Sequence, residues 1–167
     1  MYAQMPALAI YRDRAQAATA AATEEQSLQT QMYYIMDRIR RCKSINSLYK
    51  DVGKIEFYTD CSREICQLII SNQWLITVLI SATEMLNRSE PHKKVLSNVL
   101  GIIANLAQKT DTTLLQGNAE MLQMVNKVIR NFGRPTASKD KSGVELKTRA
   151  LSLLSHMQKD EKKLADV

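Results

Sequence analysis

NRSEPHKKVLSNVLGIIANLAQKTD, Asn87 to Asp111, is the stretch on which the fold turns. It reads as one amphipathic helix with a marked start and a marked stop. Pro91 suits a first helical turn, where its missing N–H leaves no bond unmade, and Ser89 or Glu90 can cap it. Val95, Leu96, Val99, Leu100, Ile103 and Leu106 recur at three- and four-residue spacing and so share a face. That stripe is too apolar for a lone surface helix and needs a partner of the same kind.

The chain supplies such partners. A shift of 51 residues toward the N-terminus places Ile45, Leu48, Tyr49, Val52 and Ile55 under Leu96, Val99, Leu100, Ile103 and Leu106. The same shift toward the C-terminus places Ala150, Leu151, Leu154 and Met157 under the last four. Thr59-Asp60 and Thr110-Asp111 follow the first two copies, each read as a helix stop and a new N-cap. A second helix type recurs in SNQWLITVLISATEML (Ser71 to Leu86) and GNAEMLQMVNKVIRNF (Gly117 to Phe132), aligned on Asn72 and Asn118 as caps. Leu75, Ile76, Val78 and Leu79 then match Met121, Leu122, Met124 and Val125. Short segments, Cys61 to Ile70 and Thr112 to Gln116, separate the two types. This order predicts an all-α fold, a right-handed α-solenoid of armadillo/HEAT-type repeats with about three units. Residues 1–26, with an apolar edge of Leu8, Ala15 and Ala18, are read as an Ala-rich capping or linker helix, and residues 27–167 as the repeat domain. Within it, FGRPTASKDKSG, Phe132 to Gly143, reads as an exposed loop from its Gly, Pro, Ser and Lys content.

The composition fits a folded helical protein. Hydrophobic residues make up 45% and aromatics only 5%, so aliphatic side chains must build the core. The net charge of +6 favours acidic partners such as tubulin, nucleic acid or acidic peptides, and equally fits a solvated basic surface. Cys42, Cys61 and Cys66 lack metal-ligand spacing and are expected as reduced thiols of a cytosolic protein, Cys61 and Cys66 as buried structural ones. No apolar run approaches the ~20 residues of a membrane span.

Catalysis needs a nucleophile, a base and an orienting group that can converge. The chain has two histidines, His92 in a helix's first turn and His156 on the flank of the last helix. It has no glycine-rich phosphate loop, no acidic pair of convincing spacing and no zinc pattern. The expectation is a non-enzymatic protein without cofactor, metal or small-molecule substrate. RIRRCK, with Arg38, Arg40, Arg41 and Lys43 beside Leu28, Met32, Ile35, Met36 and Ile39, has the look of a calmodulin target; the competing reading buries that apolar face and leaves the arginines in water. AIYRDRAQAAT does not make an IQ motif, because Tyr11 stands in place of its glutamine and Ala15 in place of its arginine.

LNRSEPHKKVLSNVLGIIANLAQKTDTT resembles the C-terminal region of the abnormal spindle protein family. The shared residues are Asn87, Arg88, Ser89 and Pro91 at the opening turn and Lys109, Thr112 and Thr113 at the ending. IRNFGRPTASKDKSGVELKTRALSLL is similar to that family's loop and final helix, notably at Asp140, Lys141, Gly143, Lys147 and Thr148. SLQTQMYYIMDRIRRCKSINSLYKDVGKIEFYT fits more loosely, so the likeness spans roughly Gln26 to Leu154. The resemblance implies a helical repeat domain of a cytoskeletal scaffold that organises spindle poles and focuses microtubule minus ends. Its implied location is the cytoplasm, the cytoskeleton and the spindle pole, with the nucleus in interphase. The implied partners are a NuMA-type dynein adaptor, katanin, microtubules and calmodulin, the last through IQ motifs that this sequence does not contain. The second reading is a generic armadillo/HEAT adaptor of transport or nucleic-acid-associated assemblies. Import receptors of that kind carry ladders of Trp and Asn, whereas here Asn105 is accompanied by Gly101 instead of Trp, and its counterparts are Lys54 and His156.

In an armadillo-like array the long third helices line one groove, so positions 51 apart form rows across it. With the apolar stripe in the core, the rows are Ser47, Asn98 and Arg149; Lys50, Gly101 and Ser152; Lys54, Asn105 and His156. They hold no acidic residue, which predicts an electropositive groove for an acidic peptide. In it, Asn105 would bond peptide backbone and Gly101 would leave room for a partner side chain.

Overall fold

A computed structural model describes residues 26–111, 115, 118–132 and 140–165, with side chains to Met157 except that of His156. Every regular element among these residues is a helix. In chain order they are α1 (26–41), α2 (Ile45–Cys61), α3 (Arg63–Ser71), α4 (Gln73–Glu84), α5 (Glu90–Lys109), α6 (Ala119–Phe132) and α7 (Lys141–Ala165). The expected N-terminal cap falls almost wholly outside the described residues, as does the middle of the expected loop. That loop is shorter than its composition implied: α7 already begins at Lys141, so Gly143 is helical.

The boundaries follow from side-chain caps. Asn72 Oδ1 accepts the Trp74 N–H at 3.1 Å and Asn118 Oδ1 accepts the Met121 N–H at 3.0 Å, as the repeated asparagines implied. At the end of α2 the cap lies further on than expected. The helix runs through Thr59 and Asp60, and Ser62 caps α3 by accepting the Ile65 N–H at 3.2 Å. Thr59 lies inside α2, where its hydroxyl donates to the Glu56 carbonyl one turn back at 2.8 Å and its oxygen accepts the Asn105 amide N–H at 3.1 Å. At α5, Ser89 has cap geometry without a side-chain bond. The turn before it is held instead by Asn87, whose Oδ1 accepts the Ser89 N–H at 2.8 Å and whose N–H donates to His92 Nδ1 at 3.2 Å.

The long helices α2, α5 and α7 lie side by side and parallel. Asn105 reaches Glu56 and Thr59, and Lys109 reaches Thr59 and Asp60, so contacts advance along α2 and α5 together. Lys93 meets Asp140 and Ser142 at the N-terminal ends of α5 and α7, while Leu100 to Gln108 face Thr148 to Ser155 further on. Helices α1, α4 and α6 pack behind them. Tyr33 of α1 stacks on Trp74 of α4 at 5.9 Å, and its hydroxyl accepts the Asn72 Nδ2–H at 2.7 Å. Gln73 of α4 meets Asn118 and Glu120 at the start of α6. The short α3 turns into α4 through 88° and packs on α2 and α5. No single described helix is long and apolar enough to cross a membrane.

The core lies between these helices. Val95, Leu96, Val99, Leu100, Ile102, Ile103 and Leu106 of α5 are buried, joined by Val52 and Ile55 of α2 and Ala150, Leu153 and Met157 of α7. Two counterparts of Leu100 depart from the expectation: Tyr49 is 43% and Leu151 44% exposed. Leu100 belongs to the middle helix and is covered from both flanks, whereas α2 and α7 flank it on one side each. In α1, Met32, Ile35, Met36 and Ile39 are buried while Arg40 and Arg41 stay exposed on Asp37, so the apolar face of RIRRCK is committed to the core and only Leu28 of that set is exposed. Arg38 Nη2 approaches the buried Asp51 Oδ1 at 3.1 Å, tying α1 to α2 by charge, though without hydrogen-bond geometry at that oxygen. Cys66 is buried and its thiol donates to the Thr59 carbonyl at 3.2 Å, while Cys61, expected inside, is exposed where α2 ends.

Candidate functional site

Two adjoining clefts open along the parallel helices. The first, of about 520 Å³, lies between α2 and α5 and is lined by Tyr49, Lys50, Gly53, Lys54, Phe57 and Asn98, with Glu56 at its inner edge. The second, of about 620 Å³, lies between α5 and α7 and is lined by Gly101, Ala104, Gln108, Arg149 and Ser152, among others. The expected rows are therefore distributed over both clefts. Lys50, Lys54 and Asn98 border the first, and Gly101, Arg149 and Ser152 the second. Ser47 is exposed one turn before Lys50, and His156 belongs to α7 with its side chain outside the description.

Three properties differ from the sequence reading. Asn105 is turned into the helix interface: its Nδ2–H donates to Thr59 Oγ1 at 3.1 Å and to the Glu56 carbonyl at 3.4 Å, so its donor is unavailable to a peptide. Gly101 does not leave an empty notch, because the Glu56 carboxylate lies over it; a Cβ on residue 101 would sit 2.8 Å from Glu56 Cδ. The groove consequently has an acidic residue at its centre. It was missed because helices packed side by side bring together positions that the repeat does not align. The repeat counterpart of Gly101 is Lys50, whereas the residue lying against it is Glu56, further along α2.

Charge in the clefts is unevenly neutralised. Lys50 and Lys54 are exposed and make no ion pair among the described residues, whereas Arg149 holds Glu145 at 3.0 Å within α7. Glu56 makes no ion pair either. With the Asn98 amide turned so that its nitrogen donates, that nitrogen reaches Glu56 Oε2 at 3.1 Å and the Lys94 carbonyl at 3.3 Å. Burial pushes the Glu56 carboxyl above the ordinary value of 4.5; the neighbouring Arg149 pulls it down and Asp60 pushes it up. A carboxyl whose folded pKa is raised destabilises the fold when ionised, and that cost disappears as pH falls below its unfolded value. Glu56→Gln is thus expected to raise the melting temperature slightly at neutral pH, with the gain shrinking to nothing in acid. Scanning calorimetry at the two pH values reads both halves of this expectation.

The clefts have the means to hold a ligand by charge, hydrogen bonds and aromatic contact. Among the described residues no three His, Cys, Asp or Glu side chains gather as a metal set. Comparison with family models, with curated proteins and with solved structures finds no match for the chain.

Proposed function

We propose that the chain is a non-catalytic protein-interaction module, a right-handed α-solenoid of armadillo/HEAT type whose clefts along α2, α5 and α7 bind an acidic peptide segment. The observation that carries the reading is the pairing of unneutralised Lys50 and Lys54 with exposed Tyr49 and Phe57 along one cleft. Lysines free of internal partners attract carboxylates, and half-exposed aromatic rings offer apolar area at little entropic cost. The parallel packing of α2, α5 and α7, the order expected of third helices in successive units, supports the solenoid.

With the likeness to the abnormal spindle family, the proposed setting is a spindle-pole, microtubule minus-end-associated scaffold. The proposed partner is a NuMA-type dynein adaptor. Katanin and microtubules are further proposed contacts, and calmodulin is assigned to motifs other than those of this sequence.

The test is binding of acidic peptides tiled from such an adaptor, followed by fluorescence anisotropy at physiological salt. Lys50→Glu combined with Lys54→Glu is expected to weaken the tightest peptide at least about tenfold while the melting temperature stays at its parent value. Binding that survives the double reversal would move the site to another face.

A further inference from the structure

The Glu56 carboxylate is the feature that a simple acidic-peptide groove does not require. It occupies the space left by the missing side chain of Gly101, half buried between two clefts whose other charges are positive. Its close polar contact is a neutral amide, that of Asn98. Arg149 is engaged with Glu145, and neither Lys50 nor Lys54 forms an ion pair with it. A half-buried carboxylate that has Arg149 nearby but no ion pair of its own carries a desolvation cost that an incoming cation can offset, and a site holding one discriminates by charge. A cleft lined only by lysines would accept any acidic segment; with Glu56 at its centre, a uniformly acidic segment places one of its carboxylates against a like charge. Phe57 is 62% exposed beside this point and Tyr49 43%, so aromatic surface is available to the stem of a long basic side chain and, through the ring faces, to its cation.

We propose that Glu56, seated over Gly101, receives a single lysine or arginine of the bound peptide. The groove then selects an acidic segment interrupted by one basic residue: carboxylates on Lys50 and Lys54, and the cation on Glu56. This rests on the reading of the clefts as a peptide site and adds the identity of the residue at its centre.

Two synthetic probes test it on the whole chain by fluorescence anisotropy: a labelled glutamate-rich peptide with one central arginine, and the same peptide with glutamine at that position. The arginine probe is expected to bind the parent protein about tenfold more tightly. Glu56→Gln is expected to remove that preference while melting no lower than the parent, which separates the loss from unfolding. Equal binding of the two probes to the parent, or a preference that persists in Glu56→Gln, overturns the role of Glu56 while leaving the acidic-peptide groove standing. If neither probe binds the parent at all, the groove itself falls and the proposal with it.

Discussion

Leu100→Asp is expected to abolish the cooperative folding of the domain. Leu100 is 2% exposed in the middle of α5, among Val99, Ile103 and neighbours from both flanking helices. A carboxylate at this 2% exposed position loses most of its hydration among aliphatic side chains. The cost of an unpaired buried charge is several kcal/mol, and leaving the aliphatic side chain's volume unfilled adds to it. Against a total stability of ~5–15 kcal/mol for a domain, that is enough to empty the folded state. Leu100→Ala separates the two contributions: it leaves only the cavity, costs roughly 2–5 kcal/mol, and should still melt cooperatively at a lower temperature. Far-ultraviolet circular dichroism during heating distinguishes the outcomes. A parent-like melt for Leu100→Asp would mean that the face of α5 assigned to the core is not the buried one.

The second large effect is expected at Lys93. Its side chain is 7% exposed, and its ammonium donates to Asp140 Oδ1 at 2.6 Å, Glu90 Oε1 at 2.9 Å and Ser142 Oγ at 3.2 Å. Ser142 in turn donates to Glu90 Oε1 at 2.8 Å. Asp140 is also the N-cap of α7, accepting the Gly143 N–H at 3.0 Å, so one cation joins the start of α5 to the start of α7. Lys93→Glu would set a third carboxylate against two others and is expected to lower the melting temperature by roughly 5–10 °C.

Lys93→Met removes the cation without adding repulsion, and the pH dependence of its effect carries a sign. Hydrogen bonds to Lys93 come first among the causes that hold Glu90 and Asp140 below their ordinary values of 4.5 and 3.8, and hydrogen bonds to Asp140 and Glu90 raise Lys93 above 10.5. Depressed carboxylates contribute stability above their unfolded pKa and lose it in acid; a raised lysine contributes below its unfolded pKa and loses it in strong base. The gap in melting temperature between the parent and Lys93→Met should therefore be widest between about pH 4.5 and 10.5, closing as pH falls through the depressed carboxylate values. A gap that stays constant into acid would show that Lys93 acts by packing alone.

How far the sequence anticipated this depended on the range of each interaction. The phase of α5, the buried faces of α1 and α4 and the asparagine caps of α4 and α6 are set within one or two helical turns, so spacing alone announced them. Ser62 as the cap of α3 follows from α2 running on past Thr59 and Asp60 to Cys61, which two adjacent polar residues do not reveal. Lys93 and Asp140 stand 47 positions apart, and no local pattern says that they touch. The candidate groove was half legible. Lys50 and Lys54 on an open face follow from the periodicity of α2, while Glu56 over Gly101 follows from the sideways offset of two packed helices, which no single helix encodes. The inward turn of Asn105 has the same origin.

The position of α5 has a further consequence for how the molecule comes apart. It is packed against α2, α3, α4 and α7, so loss of either α2 or α7 strips apolar cover from it. Long repeat arrays fray unit by unit, because each unit answers only to its neighbours. Here the central helix is a neighbour to both flanks, and partial opening gains little chain freedom before it exposes Ile102, Ile103 and Leu106. Such a chain is expected to melt as a single foldon: the slowest-exchanging amides should cluster in α5, and Trp74 fluorescence should report the same midpoint as helix loss, although Trp74 stands on α4 beside Tyr33 of α1.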